Sequence, residues 1–360
     1  MNSRRLQAAE RSGVNLSIQG LRGLASVSVL VDHLHSMGTK VEFWPPATSG
    51  FVAHFGLFSV CLFFCISGYL IATTLTKHGD VRRFAVNRMR RIYPVFILLH
   101  LVMFTVGPLA NYRWMGALRD QPVAYLGHFF SNLFFLPGIF DLPIAQKNAW
   151  SLSYEALFYI VASMVFIGQR VGASTMVRML GWLAWGLSLF MIWHEPLMLF
   201  FTVGVSLWWL ERQGRLPERG FPSWLYLVGI LVGFQLFSLR GESMWWPVVG
   251  LPFVAFFFAG VVLDRGGFLG VLRSAPMNFL GKISYSLYLV HPFVLDPIRK
   301  ICVKFGGEGP TNAFIPLFIV VGFCLAITVA WISYELVEVR FTRLISYGRL
   351  AKVKEAAEAA

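Results

Sequence analysis

The sequence predicts an all-α integral membrane protein of about ten transmembrane helices, with both termini cytoplasmic. Three observations carry this. The first is composition: of 360 residues, 56% are hydrophobic and only 14% charged, and mean hydropathy is +0.63. A water-soluble chain of this length needs far more charge on its surface. The second is that the apolar residues come in runs of roughly 16 to 25, the length that crosses a hydrocarbon core at about 1.5 Å per residue. The third is the density of Lys and Arg, which alternates from loop to loop as it does when basic loops stay in the cytoplasm.

The elements follow in order. Arg4, Arg5 and Arg11 precede an apolar run that starts near Ser17. No small-residue cleavage site follows, and Arg22, Asp32, His33 and His35 lie inside the run, so it is expected to be a permanent first span and not a cleaved signal. Breaks rich in Pro, Gly and charge then delimit spans near 17–36, 51–75, 92–109, 150–168, 177–193, 196–210, 223–239, 247–263, 282–299 and 313–335. The stretch 123–140 is apolar but bounded by Pro122 and Pro137, and is expected in a large outer loop, re-entrant in form. One membrane domain is expected over 1–347, with a short Ala/Glu/Lys tail over 348–360.

With the N-terminus inside, inner segments hold 22 of the 31 basic residues. Outer loops hold eight: Lys40, Arg113, Arg119, Lys147, Arg240, Arg299, Lys300 and Lys304. This bias accounts for the net charge of +13 through contact with an anionic inner leaflet, so no nucleic-acid partner is expected. Cys61, Cys65, Cys302 and Cys324 sit in or beside apolar segments without a Cys-x-x-Cys pair and read as small apolar side chains. The eight histidines are scattered, so no metal is expected. There is no P-loop and no Gly-x-Ser-x-Gly elbow.

Ionisable side chains within spans are costly and are functional candidates for that reason. Arg22 and His33 stand 11 residues apart, about three helical turns, so they share a face roughly 16 Å apart along the axis. His35 is rotated from His33 by about 200° and points elsewhere. Trp150, Ser151 and Glu155 open the fourth span, with Ser151 and Glu155 as i, i+4 neighbours. A carboxylate there can orient a histidine or bind a hydroxyl; alternatively Ser151 is an N-cap and Glu155 answers the helix dipole. Ser284, Tyr288 and His291 form one stripe on the ninth span, facing a cavity or a neighbouring helix. The run from Arg82 to Pro94, with Arg88, Arg91 and Tyr93, suits either anionic lipid or bidentate phosphate binding. Ser67-Gly68 on the second span permits close helix packing.

Taken together these motifs resemble the acyltransferase family 3 membrane proteins over nearly the whole length. They are Arg22-x10-His33, Phe64-x-Ile66-Ser67-Gly68-Tyr69, Arg88-x-x-Arg91-Ile92-Tyr93-Pro94, Trp150-Ser151-Leu152-x-x-Glu155 and Ser284-Tyr285-x-x-Tyr288-Leu289-x-His291. Each is weak alone; five in order at span-compatible positions are specific.

The resemblance implies an acyl-CoA donor, usually acetyl-CoA, and a hydroxyl of a carbohydrate or glycolipid acceptor, in a bacterial inner membrane. Some relatives carry a soluble hydrolase-like domain after the tenth span; none is expected here, so the membrane domain is expected to meet the acceptor itself. On this reading His33 is the general base and Glu155 orients it or the acceptor. Arg88 and Arg91 take the donor phosphates, with Arg22, Tyr93, Ser67 and Tyr288 along the donor's path. Ser151, Trp150 and His291 meet the acceptor. Histidine suits base chemistry near neutral pH. A covalent acyl-histidine route stays open beside direct transfer. The rival class is a secondary transporter or exporter of a saccharide or its acylated form. It is disfavoured because no internal repeat is visible and because His33 and Glu155 fall at the outer end instead of the midplane.

Overall fold

Every one of the ten apolar runs is helical where the computed structural model describes it, which is over residues 15–45, 52, 54–170, 172–217, 220–239, 246–264 and 266–341. The helices are α1 (Leu16–Thr39), α2 (Phe55–His78), α3 (Val81–Leu109), α4 (Pro122–Leu133), α5 (Trp150–Gly168), α6 (Thr175–His194), α7 (Leu199–Arg212), α8 (Ser223–Ser238), α9 (Leu251–Val262), α10 (Leu269–Leu272), α11 (Ala275–Gly306) and α12 (Ile315–Ser333). No β-strand occurs among the described residues. The basic residues Arg4, Arg5 and Arg11, Arg240, Trp245 and the 348–360 tail lie outside the described residues.

Local chemistry sets the boundaries. Asn15 caps α1, its side chain accepting from the Ile18 amide at 3.0 Å. Gly79 ends α2 at φ +61°, a left-handed conformation that glycine adopts without a Cβ clash. Asp80 immediately caps α3 by accepting from the Arg83 amide at 3.1 Å. Two residues therefore turn the chain, and they fix the basic start of α3 beside the end of α2. Ser174 and Ser274 cap α6 and α11 in the same way.

Among the described residues, five helical segments are long and apolar enough to cross a membrane: Phe55–Lys77, Val81–Leu109, Lys147–Gly168, Thr175–His194 and Ile315–Val339. Ser223–Ser238 and Val248–Val262 are apolar but shorter. Helix α6 presents Met176, Met179, Trp182, Leu183, Leu189, Phe190 and Trp193 outward, with Trp182 75% exposed. Water would not tolerate such a face; lipid does. The protein is an all-α membrane protein.

The long helices α1 and α11 fall short of that hydropathy because they carry the polar residues, and these are turned inward. They form the most extensive helix pair in the structure. Gly23 and Gly281 allow it: a Cβ on Gly23 would collide with the Met277 carbonyl and the Gly281 amide, and one on Gly281 with the Gln19 carbonyl. Such small-residue seams let backbones approach where lipid offers no hydrophobic drive. The two helices run parallel, since Gly23 meets Gly281, Arg22 meets Ser284 and His33 meets His291. Helices α2 and α7 close a second such seam through Gly68 and Gly204.

The 123–140 stretch contains one short helix, α4, after a 3-10 turn over Arg113–Leu118. It packs back on α3. The Tyr125 hydroxyl donates to the Phe104 carbonyl at 2.8 Å, which Pro108 deprives of its helical donor four residues on. Asn132, buried, accepts from the Ala145 amide at 2.8 Å and so pins the approach to α5.

Candidate active site

Five helices bring five motifs to one place. One cavity is lined by Arg22 of α1, Ser67 of α2, Arg88 and Arg91 of α3, Ser151, Glu155 and Tyr159 of α5, and Ser284, Tyr285 and Tyr288 of α11. The Arg22 guanidinium donates to Ser284 Oγ at 3.1 Å. Glu155 Oε1 accepts from Ser67 Oγ at 2.6 Å and from the Tyr159 hydroxyl at 2.5 Å. The Arg88 guanidinium lies 5.4 Å from the Phe84 ring centre and 5.3 Å from that of Tyr159, two cation-π contacts beside the cavity. Three guanidinium groups thus share the cavity with one carboxylate. Glu338, in the π-helical turn after α12, accepts from Ser286 at 2.5 Å, and its field also reaches Arg22.

The outer wall of this cavity is a hydrogen-bonded seam. Tyr288 and Ser151 share a hydrogen bond of 2.7 Å, and the Tyr288 hydroxyl also lies 3.0 Å from the Asn148 carbonyl. Asn148 Nδ2 donates to the Tyr288 carbonyl at 2.8 Å. That carbonyl is free because Pro292, four residues on, has no N–H to offer it. The proline therefore creates the docking point for the asparagine. Asn148 Nδ2 also lies 3.4 Å from His291 Nε2, and His291 Nε2 lies 2.8 Å from His33 Nδ1.

The protons in this chain are fixed by what each partner can do. His291 Nδ1 lies 2.8 Å from the Leu287 carbonyl, which only accepts, so Nδ1 carries the proton. In the neutral ring Nε2 is then the acceptor, in agreement with the Asn148 amide pointing at it. The donor in the histidine pair is accordingly His33 Nδ1–H. The lone pair of His33 is left on Nε2. His33 is half-buried, whereas His291 is fully buried.

The sequence-derived candidates divide accordingly. Arg22, Ser67, Arg88, Arg91, Ser151, Glu155 and Tyr288 line the cavity together. His33 and His291 are paired next to it. Glu155 makes no hydrogen bond to His33; the ring is oriented by His291, across from it on α11. His291 was expected to meet the acceptor, but both its ring nitrogens are engaged inside the protein. Tyr93 turns away from the cavity, its hydroxyl 3.5 Å from the Leu133 carbonyl and its ring against Phe96 and Phe135. Trp150 packs edge-on to Tyr154 and does not line the cavity. His35 stacks on Trp44, away from His33 as its helical phase requires. Tyr159, Asn148 and Glu338 carry no sequence motif and Tyr285, part of the fifth motif, was assigned no role; Tyr159, one turn beyond Glu155, was within reach of the i, i+4 rule. Among the described residues no three His, Cys, Asp or Glu side chains converge as metal ligands.

The site is that of a membrane protein with a polar centre shared by its first, second, third, fifth and eleventh helices. The chain belongs to the family described as "Acyltransferase domain", which matches residues 15–335. It is similar to a Staphylococcus aureus (strain COL) protein named provisionally as an O-acetyltransferase, at 24% identity over 91% of this chain and 57% of that one. It is similar at 28% identity to the exopolysaccharide production protein ExoZ of Rhizobium meliloti, over 72% of this chain and 83% of that one. It is similar at 24% identity to the peptidoglycan O-acetyltransferase OatA of Listeria monocytogenes, over 76% of this chain and 48% of that one. The chain spans little more than half the length of the first of these relatives. No solved structure matches it.

Proposed function

We propose that this chain transfers an acyl group, most simply acetyl, from acyl-CoA to a hydroxyl of a carbohydrate or glycolipid at a bacterial inner membrane. The observation that carries the reading is the joining of a cavity lined by Arg22, Arg88 and Arg91 to a histidine pair through one hydrogen-bonded seam. Names of relatives that give O-acetyltransferase activity support it. Ten spans with cytoplasmic termini fit the parallel run of α1 and α11, which a first and a ninth span require.

The guanidinium groups bind the donor's phosphates from the cytoplasmic side, Arg88 held by the Phe84 and Tyr159 rings. Glu155, fixed by Ser67 and Tyr159, limits the positive charge of the cavity. In the transfer, His33 Nε2 takes the proton of the acceptor hydroxyl while its oxygen bonds to the thioester carbonyl carbon. The C–S bond breaks and CoA leaves as a thiol, taking up the proton. Tyr288 and Ser151 stand at the cavity wall, and a hydroxyl that turns from the Asn148 carbonyl donates to the developing oxyanion.

Radiolabelled acetyl-CoA and the purified chain in nanodiscs test this. Saturable binding is expected. In cells making the protein, base-labile acetate on envelope glycans is expected to fall about 100-fold or more in His33→Ala, the usual share of a general base. Wild-type acetylation by His33→Ala removes the base assignment, and absence of acetyl-CoA binding moves the reading to transport.

A further inference from the structure

Loops outside a membrane are poor in Lys and Arg. Five of the eight cations that the sequence places outside nevertheless meet in one cleft. It opens between the ends of α1, α3 and α11 and the approach to α5, and Lys40, Arg113, Lys147, Arg299 and Lys300 line it. Asp296 is its one carboxylate, and it is already paired with Arg299 at 2.7 Å and Lys300 at 2.8 Å. Lys40, Arg113 and Lys147 have no carboxylate within ion-pair distance among the described residues. Cations without an ion-pair partner on three different segments, turned to one space, favour an oxyanion there.

Two buried amides give the cleft its second character. Gln146 is only 4% exposed and lines the cleft, and its Oε1 has no hydrogen-bond partner among the described residues. An orphaned acceptor calls for a donor such as a hydroxyl. Asn148 also lines the cleft and is the residue bonded to His291, which holds His33. The cleft thus reaches the seam at Asn148, two hydrogen bonds from His33, at the opposite end from the arginine cavity.

We infer that this cleft receives the acceptor, and that the acceptor is an anionic saccharide bearing a carboxylate or phosphate beside its hydroxyls. The inference rests on the acyl-transfer reading for the word acceptor, and on the cleft alone for the anionic class. Lys40, Lys147 and Arg113 bind the oxyanion; Gln146 takes a sugar hydroxyl.

Calorimetry on the full chain in phosphatidylcholine nanodiscs tests it with three probes: a glucuronic-acid disaccharide, glucose 1-phosphate and neutral cellobiose. At least one acidic probe is expected to bind roughly 10-fold or more tightly than cellobiose, as charged hydrogen bonds do. The favoured probe reports whether carboxylate or phosphate is read, and added salt should shrink the preference. Lys40→Gln with Lys147→Gln is expected to abolish the preference, and Lys40→Arg with Lys147→Arg to keep it. Both lysines are exposed, and elution as a single species checks folding. Equal or absent binding of the three probes overturns the inference, as does a preference that survives the glutamine pair. So does loss of acidic-probe binding in phosphatidylglycerol discs, which would make the cleft a lipid headgroup site. Acetyl-CoA binding on the same samples separates the two readings. Bound acetyl-CoA without acidic preference sinks the cleft alone; acidic preference without acetyl-CoA sinks acyl transfer and leaves the cleft.

Discussion

His291 touches neither cavity, yet its replacement should nearly silence the enzyme. Its Nε2 accepts from His33 Nδ1 at 2.8 Å, and its own proton is held on Nδ1 by the Leu287 carbonyl at 2.8 Å. In His291→Phe the His33 N–H loses that acceptor, and a buried donor left unpaired costs about 1–3 kcal/mol. The alternative tautomer, with the proton on Nε2, then competes. A shift of that size reduces the base-competent population roughly 5- to 150-fold. His291→Gln places a carbonyl oxygen within reach of the same donor and should restore much of the loss. The assay is release of CoA thiol from acetyl-CoA by protein in nanodiscs supplied with envelope glycan, read as kcat and KM across pH. The expected result is a fall in kcat, an unchanged KM for acetyl-CoA, and partial rescue by glutamine but not phenylalanine. A general packing defect would lower the two variants alike. Full activity in His291→Phe, or a glutamine variant no better than phenylalanine, refutes the tautomer argument.

Arg91→Gln removes one of three guanidinium groups from the inner cavity. It should raise the KM for acetyl-CoA roughly 10-fold or more with little change in kcat, since a hydrogen bond to a charged group contributes about 1.5–3 kcal/mol; steady-state kinetics read it. Gly281→Leu would drive a side chain into the Gln19 carbonyl of α1. Overpacking of this kind costs about 1–3 kcal/mol, so a lower melting temperature in detergent is expected, together with reduced acetylation as Arg22 and His33 shift from Ser284 and His291.

Much of the helix plan was legible because lipid leaves only one way to satisfy a backbone, so each apolar run had to be helical. Most of the cavity was legible as well. Arg22, Ser67, Arg88, Arg91, Glu155 and Tyr288 were polar where polarity is costly. What could not be read was pairing. Helical phase put Arg22 and His33 on one face, but no spacing rule says which residue some 258 positions later completes His33. The resemblance made Glu155 the expected group to orient His33 or the acceptor; its carboxylate instead meets Ser67 and Tyr159. Tyr93 sat in the basic motif and so read as part of it, yet its ring belongs to the packing of the α4 loop on α3. Asn148 lay just before the motif that was noticed. Its role depends on a carbonyl exposed by Pro292 on another helix, and that is invisible to a local pattern.

The two helices that carry most of the chemistry also explain how a lipid-embedded fold can hold it. Helices α1 and α11 are the polar ones among the long helices, and alone in lipid each would present Arg22, His33, Ser284 or His291 to hydrocarbon at a cost of several kcal/mol. Paired, they cover one another: guanidinium to hydroxyl at 3.1 Å, imidazole to imidazole at 2.8 Å. The glycine seam brings the backbones close enough for these short contacts. Removing the seam would therefore expose the polar groups as well as loosen the packing. Fold stability and site geometry thus depend on the same few contacts. This is why the residues that make the first span look least like a membrane helix are the ones that place it at the centre of the bundle.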